Sequence, residues 1–404
     1  MRRPFLALLA LALGALPAWA DTATAVRFLE RKVQDDPANY IAWNQLAGRY
    51  LTLLRDGGNE EQLTKAEQAV AASLKAMGLP QNAGALAVRA AVESAGHRFG
   101  DALATAVQLQ PLASDETDAW QLIADARLGL GDYAEAQKAI AKLAAAGSSP
   151  AVIEPRLARL ELVHGRPAEA RTHFEAMLKA VGDGPPELRA WALVQLGELA
   201  FRTGDWETAE RHYRAALAAR PEDIAAQEHL AEFHGAAGRL EEAAALYQAV
   251  IEKTGRPEFC QALGDLYAFA KSPEQARPWQ QRAEAGYLAS VKAGHVLYFH
   301  HLAGFYADSQ ANPVQALAWA RRDLELRHSL EAWDALAWAL YQNNQFPEAV
   351  EAIGRALASG TADAHVLYHA GLIRMSAGDL TGGKAALRQA VAANPHYAAF
   401  HVHR

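Results

Sequence analysis

Histidine is the residue type in this chain whose spacing could do chemistry. Nine histidines crowd the last quarter: His295, His300, His301, His328, His365, His369, His396, His401 and His403. His365 and His369 are four residues apart, so on a helix they share one face and can offer a metal two imidazoles. Two ligands make an incomplete site. His403 is the nearest candidate for a third, reached only if a last helix stacks in register, and packed helices stand ~10 Å apart. No metal and no cofactor is therefore expected. Two glycine-rich strings imitate nucleotide-binding loops. Gly129-Leu130-Gly131-Asp132-Tyr133-Ala134 fits a dinucleotide fingerprint, and Gly378 to Gly383 with Lys384 fits most of a P-loop. Both motifs need a strand leading in, and the residues before each have helical spacing instead. The second also has Ala385 where Ser or Thr would hold the metal. H-E-x-x-H, C-x-x-C and G-x-S-x-G are absent. The chain thus reads as non-enzymatic, with no catalytic residues.

The elements that must position these residues come from a repeat. A string of residue types about 34 long recurs from Tyr40 to Pro395. In one copy Leu196 and Gly197 sit side by side, Gly204-Asp205-Trp206 makes a turn, and Ala209, Tyr213 and Ala216 follow at helical spacing before Pro221. The next copy has Leu230-Ala231, His234, Gly238, Leu240, Ala243, Tyr247 and Val250. Each copy therefore reads as two amphipathic helices around a glycine turn. Aspartate after the glycine, as in Gly131-Asp132, Gly204-Asp205 and Gly378-Asp379, caps the second helix, and Asp132 with Glu135 has capping-box spacing. Alanines such as Ala231 and Ala243 let the pair approach, while Leu230 and Tyr247 fill the space around them. Units are expected to start near Tyr40, Gln81, Thr117, Ala151, Ala190, Ile224, Pro257, Gly294, Leu330 and Ala364. The unit around Ser309-Gln310 is about one residue longer than the others. Gly182 to Pro186 marks a break, read as a longer loop between units rather than a hinge.

This pattern resembles the tetratricopeptide repeat family. Trp43-Asn44-Gln45-Leu46-Ala47 with Tyr50 matches the family's opening motif, as do Trp120, Ile123-Ala124, Gly131, Ala136 and Ile140 in a later unit. The resemblance implies an all-α, right-handed superhelical solenoid of about ten antiparallel helix pairs. It also implies that the first helices line a concave, ligand-gripping face. That rule places Glu198, Glu228, Glu232 and Asp265 in the middle of the groove. It places Asp334, Trp338, Tyr341, His365, Tyr368 and His369 at its end, with His300 just before. The middle is acidic and suits a basic partner. The aromatic end suits an apolar or Pro-rich peptide, or a sugar ring stacked on Trp338.

The first twenty residues read as a secretory signal: Arg2-Arg3, an apolar run from Phe5 to Ala15, then Pro17 before Ala18-Trp19-Ala20. Residues 21–39 read as a capping helix with Ala25, Phe28, Leu29 and Val33 on one face, 40–397 as the repeats, and 398–404 as a C-terminal cap in which Phe400 covers the last unit. Beyond the leader no apolar run reaches the ~18 residues of a membrane span. Loss of Arg2 and Arg3 takes the formal charge from −7 to −9, which opposes binding to nucleic acid. The lone Cys260 cannot form an internal disulfide and reads as a packed hydrophobe, a pattern at home in a bacterial periplasm. The reading is of an exported, non-catalytic scaffold that binds a protein or peptide. A glycan-handling scaffold and a histidine-based metal binder are the alternatives.

Overall fold

The computed structural model describes residues 22–401, so the leader and His403 lie outside the described residues. Within that range every regular element is helical. A lone helix, α1 (Thr22–Asp35), precedes ten pairs. The first four are α2 (Tyr40–Arg55) with α3 (Glu61–Ala76), α4 (Ala83–Ala95) with α5 (Phe99–Leu109), α6 (Glu116–Leu130) with α7 (Tyr133–Ala145), and α8 (Pro150–Val163) with α9 (Pro167–Val181). Next come α10 (Pro186–Arg202) with α11 (Trp206–Ala219), α12 (Ile224–Ala236) with α13 (Leu240–Thr254), and α14 (Pro257–Phe269) with α15 (Pro273–Lys292). The last three are α16 (Phe299–Gly304) with α17 (Pro313–Leu326), α18 (Leu330–Gln342) with α19 (Phe346–Leu357), and α20 (Ala364–Ser376) with α21 (Leu380–Ala393). Tyr40, Ile224, Pro257, Leu330 and Ala364 start first helices as expected. The unit expected from Ala190 starts earlier, at Pro186, because a proline at the first helical position needs no partner for its nitrogen. The one expected from Gly294 starts later, at Phe299.

The turns follow the glycine logic. Gly131, Gly204 and Gly378 have φ of +83°, +80° and +95°, in the left-handed region. Asp205 and Asp379 then accept from the backbone of Thr208 and Gly382. Asp132 does not cap: Arg127 takes its carboxylate, and Glu135 pairs with Lys138 at 2.5 Å, so the capping box does not form. The extra residue of the eighth unit becomes a π turn, Phe305–Ser309, at the end of α16.

The chain forms two compact units, and the change falls inside α8, between Ile153 and Glu154, rather than at Gly182–Pro186. In the N-terminal unit α1 buries Ala25, Val26, Leu29 and Val33. Phe28 is instead 49 % exposed, because it steps about 100° away from Leu29 on the helix. A buried polar knot ties the first two pairs of this unit: Ser73 donates to Asn44 at 2.7 Å, and the Asn44 and Asn82 amides meet at 2.8 Å.

In the C-terminal unit the pairs pack through glycine and alanine. A Cβ on Gly197 would meet the Tyr213 ring at 2.5 Å, and Tyr213 is fully buried among Ala200, Phe201, Ala209, Leu230 and Phe233. Cys260 is also buried, and burial pushes its thiol up to about 11. The beginning and the end of this unit meet. Arg159 of α8 bonds Glu331 of α18 at 3.0 Å, and Arg202 of α10 pairs with Asp363 just before α20. Gly165, after α8, lies against the Gly360–Ala362 backbone.

Candidate ligand cavity

Closure turns the concave face of the C-terminal unit into a cavity of about 280 Å³. Its wall is built by successive first helices, which the repeat brings side by side. α14 supplies Gln261 and Asp265, α16 and the π turn supply His300, Asp308 and Ser309, α18 supplies Asp334 and Trp338, and α20 supplies His365 and His369. Six of the groove residues expected from sequence are thus together: Asp265, His300, Asp334, Trp338, His365 and His369.

The centre of the wall is a tight polar group. His369 Nδ1 lies 3.0 and 3.1 Å from the two carboxylate oxygens of Asp334, and His365 Nε2 lies 3.9 Å from Asp334 Oδ2. The two imidazoles are 4.0 Å apart, edge to face. Trp338 stacks flat on His369 at 4.0 Å and donates its indole N–H to Asp308 at 3.0 Å. Burial, and then the neighbouring His369, hold His365 well below the usual histidine range, so it is neutral at pH 7. Asp265 is pushed up to about 6, chiefly by burial, against hydrogen bonds from Ser309, Gln261 and Gln280. Burial also works against charge on Asp323, but Arg327 at 3.0 Å and His300 outweigh it and hold the carboxyl at about 2.

The remaining expected groove residues lie elsewhere. Glu228 and Glu232 do not form an open acidic face: each is 1 % exposed, flanking His229. Burial disfavours charge on His229, yet Glu228, Glu232 and Glu198 raise it to about 9, so the cluster holds its own cation. Glu198 pairs with Arg202 at 3.3 Å. Tyr341 stacks on Trp338 at 4.9 Å, and Tyr368 rests on Tyr397 at 5.4 Å.

The largest departure from the sequence reading is the tail. Residues 394–401 do not continue as a helix over the last unit. They cross to the middle pairs. The Asn394 amide reaches the Phe201 carbonyl at 3.5 Å, and His396 packs on Trp206 at 4.1 Å. Phe400 is 3 % exposed beside Phe269, over the Leu266 side chain and the bare backbone of Gly235, where a Cβ would meet the Phe400 ring at 2.5 Å. His401 binds Glu232. Arg202 and Asp363 line the cavity and escaped the sequence reading, and so did the seats of Phe400 and His401, which also line it: Arg202 meets Asp363 at a separation of 161 residues and His401 meets Glu232 at 169, with no periodic signal. Asp334 and His369, by contrast, are 35 residues apart, one repeat, and that spacing could have flagged the pair.

Comparison with known proteins agrees with this architecture. Models described as tetratricopeptide repeat match residues 194–257 and 335–398, residues 151–222, and residues 117–145. None of the curated proteins matches the chain. Similar solved structures include the human IFIT1 dimer with PPP-AAAA, 13 % identical, TM-score 0.48, covering 92 % of this chain and 86 % of that one. Another is the APC/C hetero-tetramer Cut9-Hcn1, 14 % identical, TM-score 0.37, covering 93 % and 91 %. A third is a tetratricopeptide repeat protein from Parabacteroides merdae, 15 % identical, TM-score 0.41, covering 65 % and 93 %. The helix pairs, the glycine turns and the matched models together make this chain a member of the tetratricopeptide repeat family.

Proposed function

We propose that this protein is a non-catalytic, protein-binding scaffold of a bacterial cell envelope, exported by its N-terminal leader, that captures a partner segment on the inner face of its C-terminal unit. One observation carries the reading: that face already grips a peptide, its own tail. Phe400 fills an apolar seat made by Gly235, Leu266 and Phe269, and His401 sits on the Glu232 carboxylate. A partner offering an aromatic residue next to a cationic one meets the same two features. The export and envelope assignments rest on the leader pattern and on the single cysteine. The glycan alternative needs open faces on Trp338 and Tyr368, but Trp338 is stacked by His369 and Tyr341, and Tyr368 packs at a tilt against Tyr397.

The test is crosslinking in a bacterial periplasm followed by identification of the captured protein. The expected result is one stoichiometric partner, recovered several-fold better with Phe400→Ala, which vacates the seat, and lost with Phe269→Ala. Recovery that ignores both substitutions while the variants stay folded sinks the groove reading.

A further inference from the structure

We infer that Asp334, His365 and His369 form a binding site for a borderline divalent transition metal of the zinc class. This goes beyond the scaffold reading and does not depend on it. The argument starts from spacing. A dication bound tetrahedrally at 2.0–2.1 Å needs donor atoms about 3.4 Å apart. Here His369 Nδ1 stands 3.0 Å from Asp334 Oδ1, and His365 Nε2 stands 3.9 Å from Asp334 Oδ2. One donor atom from each of the three residues fits within a sphere where all lie within 4.8 Å of one another. Side-chain adjustments of up to about 1 Å bring the set to that spacing, with no two donors starting more than 4.8 Å apart.

The surroundings hold the ligands in place. His365 and His369 are one turn apart on α20, and Asp334 faces them from α18. The Trp338 ring, stacked at an angle of 9°, fixes the plane of His369, and the Trp338 N–H is itself held by Asp308. Two imidazoles and one carboxylate are the donor set of zinc, cobalt and nickel rather than of calcium or magnesium, which take oxygen. Net charge favours a cation as well. Asp308, Glu331, Asp334 and Asp363 line the cavity, and its one arginine, Arg202, is engaged by Asp363 and Glu198. Three protein ligands leave a coordination position toward the cavity, where a donor from a bound partner can enter.

Among the described residues the other grouping of this kind, Glu228, His229 and Glu232, makes a useful contrast. There the imidazole lies between two carboxylates that hold it charged, and a protonated ring is no ligand.

The experiment is equilibrium dialysis of the untagged full-length protein against zinc chloride, with metal counted by mass spectrometry, and cobalt(II) absorption as a second readout. The expected result is one zinc per chain, with a dissociation constant at least ~100-fold weaker in His365→Gln and in Asp334→Asn. His328→Gln, on an exposed histidine that does not line the cavity, leaves it unchanged. Cobalt gives the visible bands of a four- or five-coordinate site, lost in His365→Gln. X-ray absorption at the zinc edge of the unsubstituted protein needs no variant and should show two imidazoles. The proposal is overturned by substoichiometric zinc, by wild-type affinity in a folded His365→Gln, or by fewer than two imidazoles at the edge.

Discussion

Asp265 shows how a single side chain in the cavity trades stability for chemistry. Its carboxyl titrates at about 6 in the folded protein, chiefly because burial penalises the charge, against 3.8 for an unperturbed aspartate. The folded state thus binds the proton more tightly than the unfolded state. The resulting loss of stability is absent below pH 3.8, grows between 3.8 and 6, and is complete above 6. At pH 7.5 the penalty is about 1–3 kcal/mol, since one pKa unit is 1.36 kcal/mol and water in the cavity screens part of it. Asp265→Asn keeps an acceptor for Gln261 and removes the charge. Its melting temperature should exceed that of the parent at pH 7.5, and the gain should vanish near pH 4. A loss of stability at both pH values would show that Asp265 is a structural acceptor and not a strained charge. A residue that costs stability in a wall shared with His300, Asp334, His365 and His369 is the kind that a binding site retains.

At the scale of the helix pair, most of the architecture was legible. Leu196-Gly197 and Tyr213 marked the two helices of one unit, α10 and α11, and the structure puts the Tyr213 ring where a Gly197 side chain would stand. Gly197→Ala should cost about 1–3 kcal/mol by overpacking, read as a lower urea midpoint with an unchanged slope. Gly238→Ala, at φ +75° with no atom near its Cβ, should cost only the backbone term of about 1–2 kcal/mol. Equal losses at both sites would mean that the turn, rather than close approach, selects glycine throughout. The extra residue of the eighth unit was also visible, and it became the π turn that brings Asp308 and Ser309 to the cavity. Its consequence was not visible, because a π turn re-aims side chains by an amount that only packing decides. Capping by Asp132 failed for a related reason: spacing offered a box, but Arg127 competed for the carboxylate and won.

Over the whole C-terminal unit, closure is what a periodic sequence conceals. A repeat array is stabilised by nearest neighbours, and its terminal pairs are the first to open. The sequence states those neighbour contacts once per unit. Nothing periodic announces that Arg159 will meet Glu331, or that Phe400 will return to Gly235. These contacts add a term beyond nearest neighbours, joining α8 to α18 and the tail to α12 and α14. The last pair, α20 with α21, is itself tied back to α10, by Asp363 on Arg202 and by Asn394 on the Phe201 carbonyl, although it ends the series. Hydrogen exchange tests this directly. In the parent protein the amides of α20 and α21 should be protected nearly as well as those of α12 and α13. Arg159→Glu replaces a 3.0 Å ion pair with two facing carboxylates in a pocket where both side chains are under a fifth exposed. It should speed exchange in α20 and α21 about tenfold or more, and leave α12 and α13 unchanged. Glu331→Arg added to Arg159→Glu restores the opposite charges and should restore protection. If α20 and α21 already exchange fast in the parent, the ends of this unit do not hold one another, and the inner face behaves as an open groove.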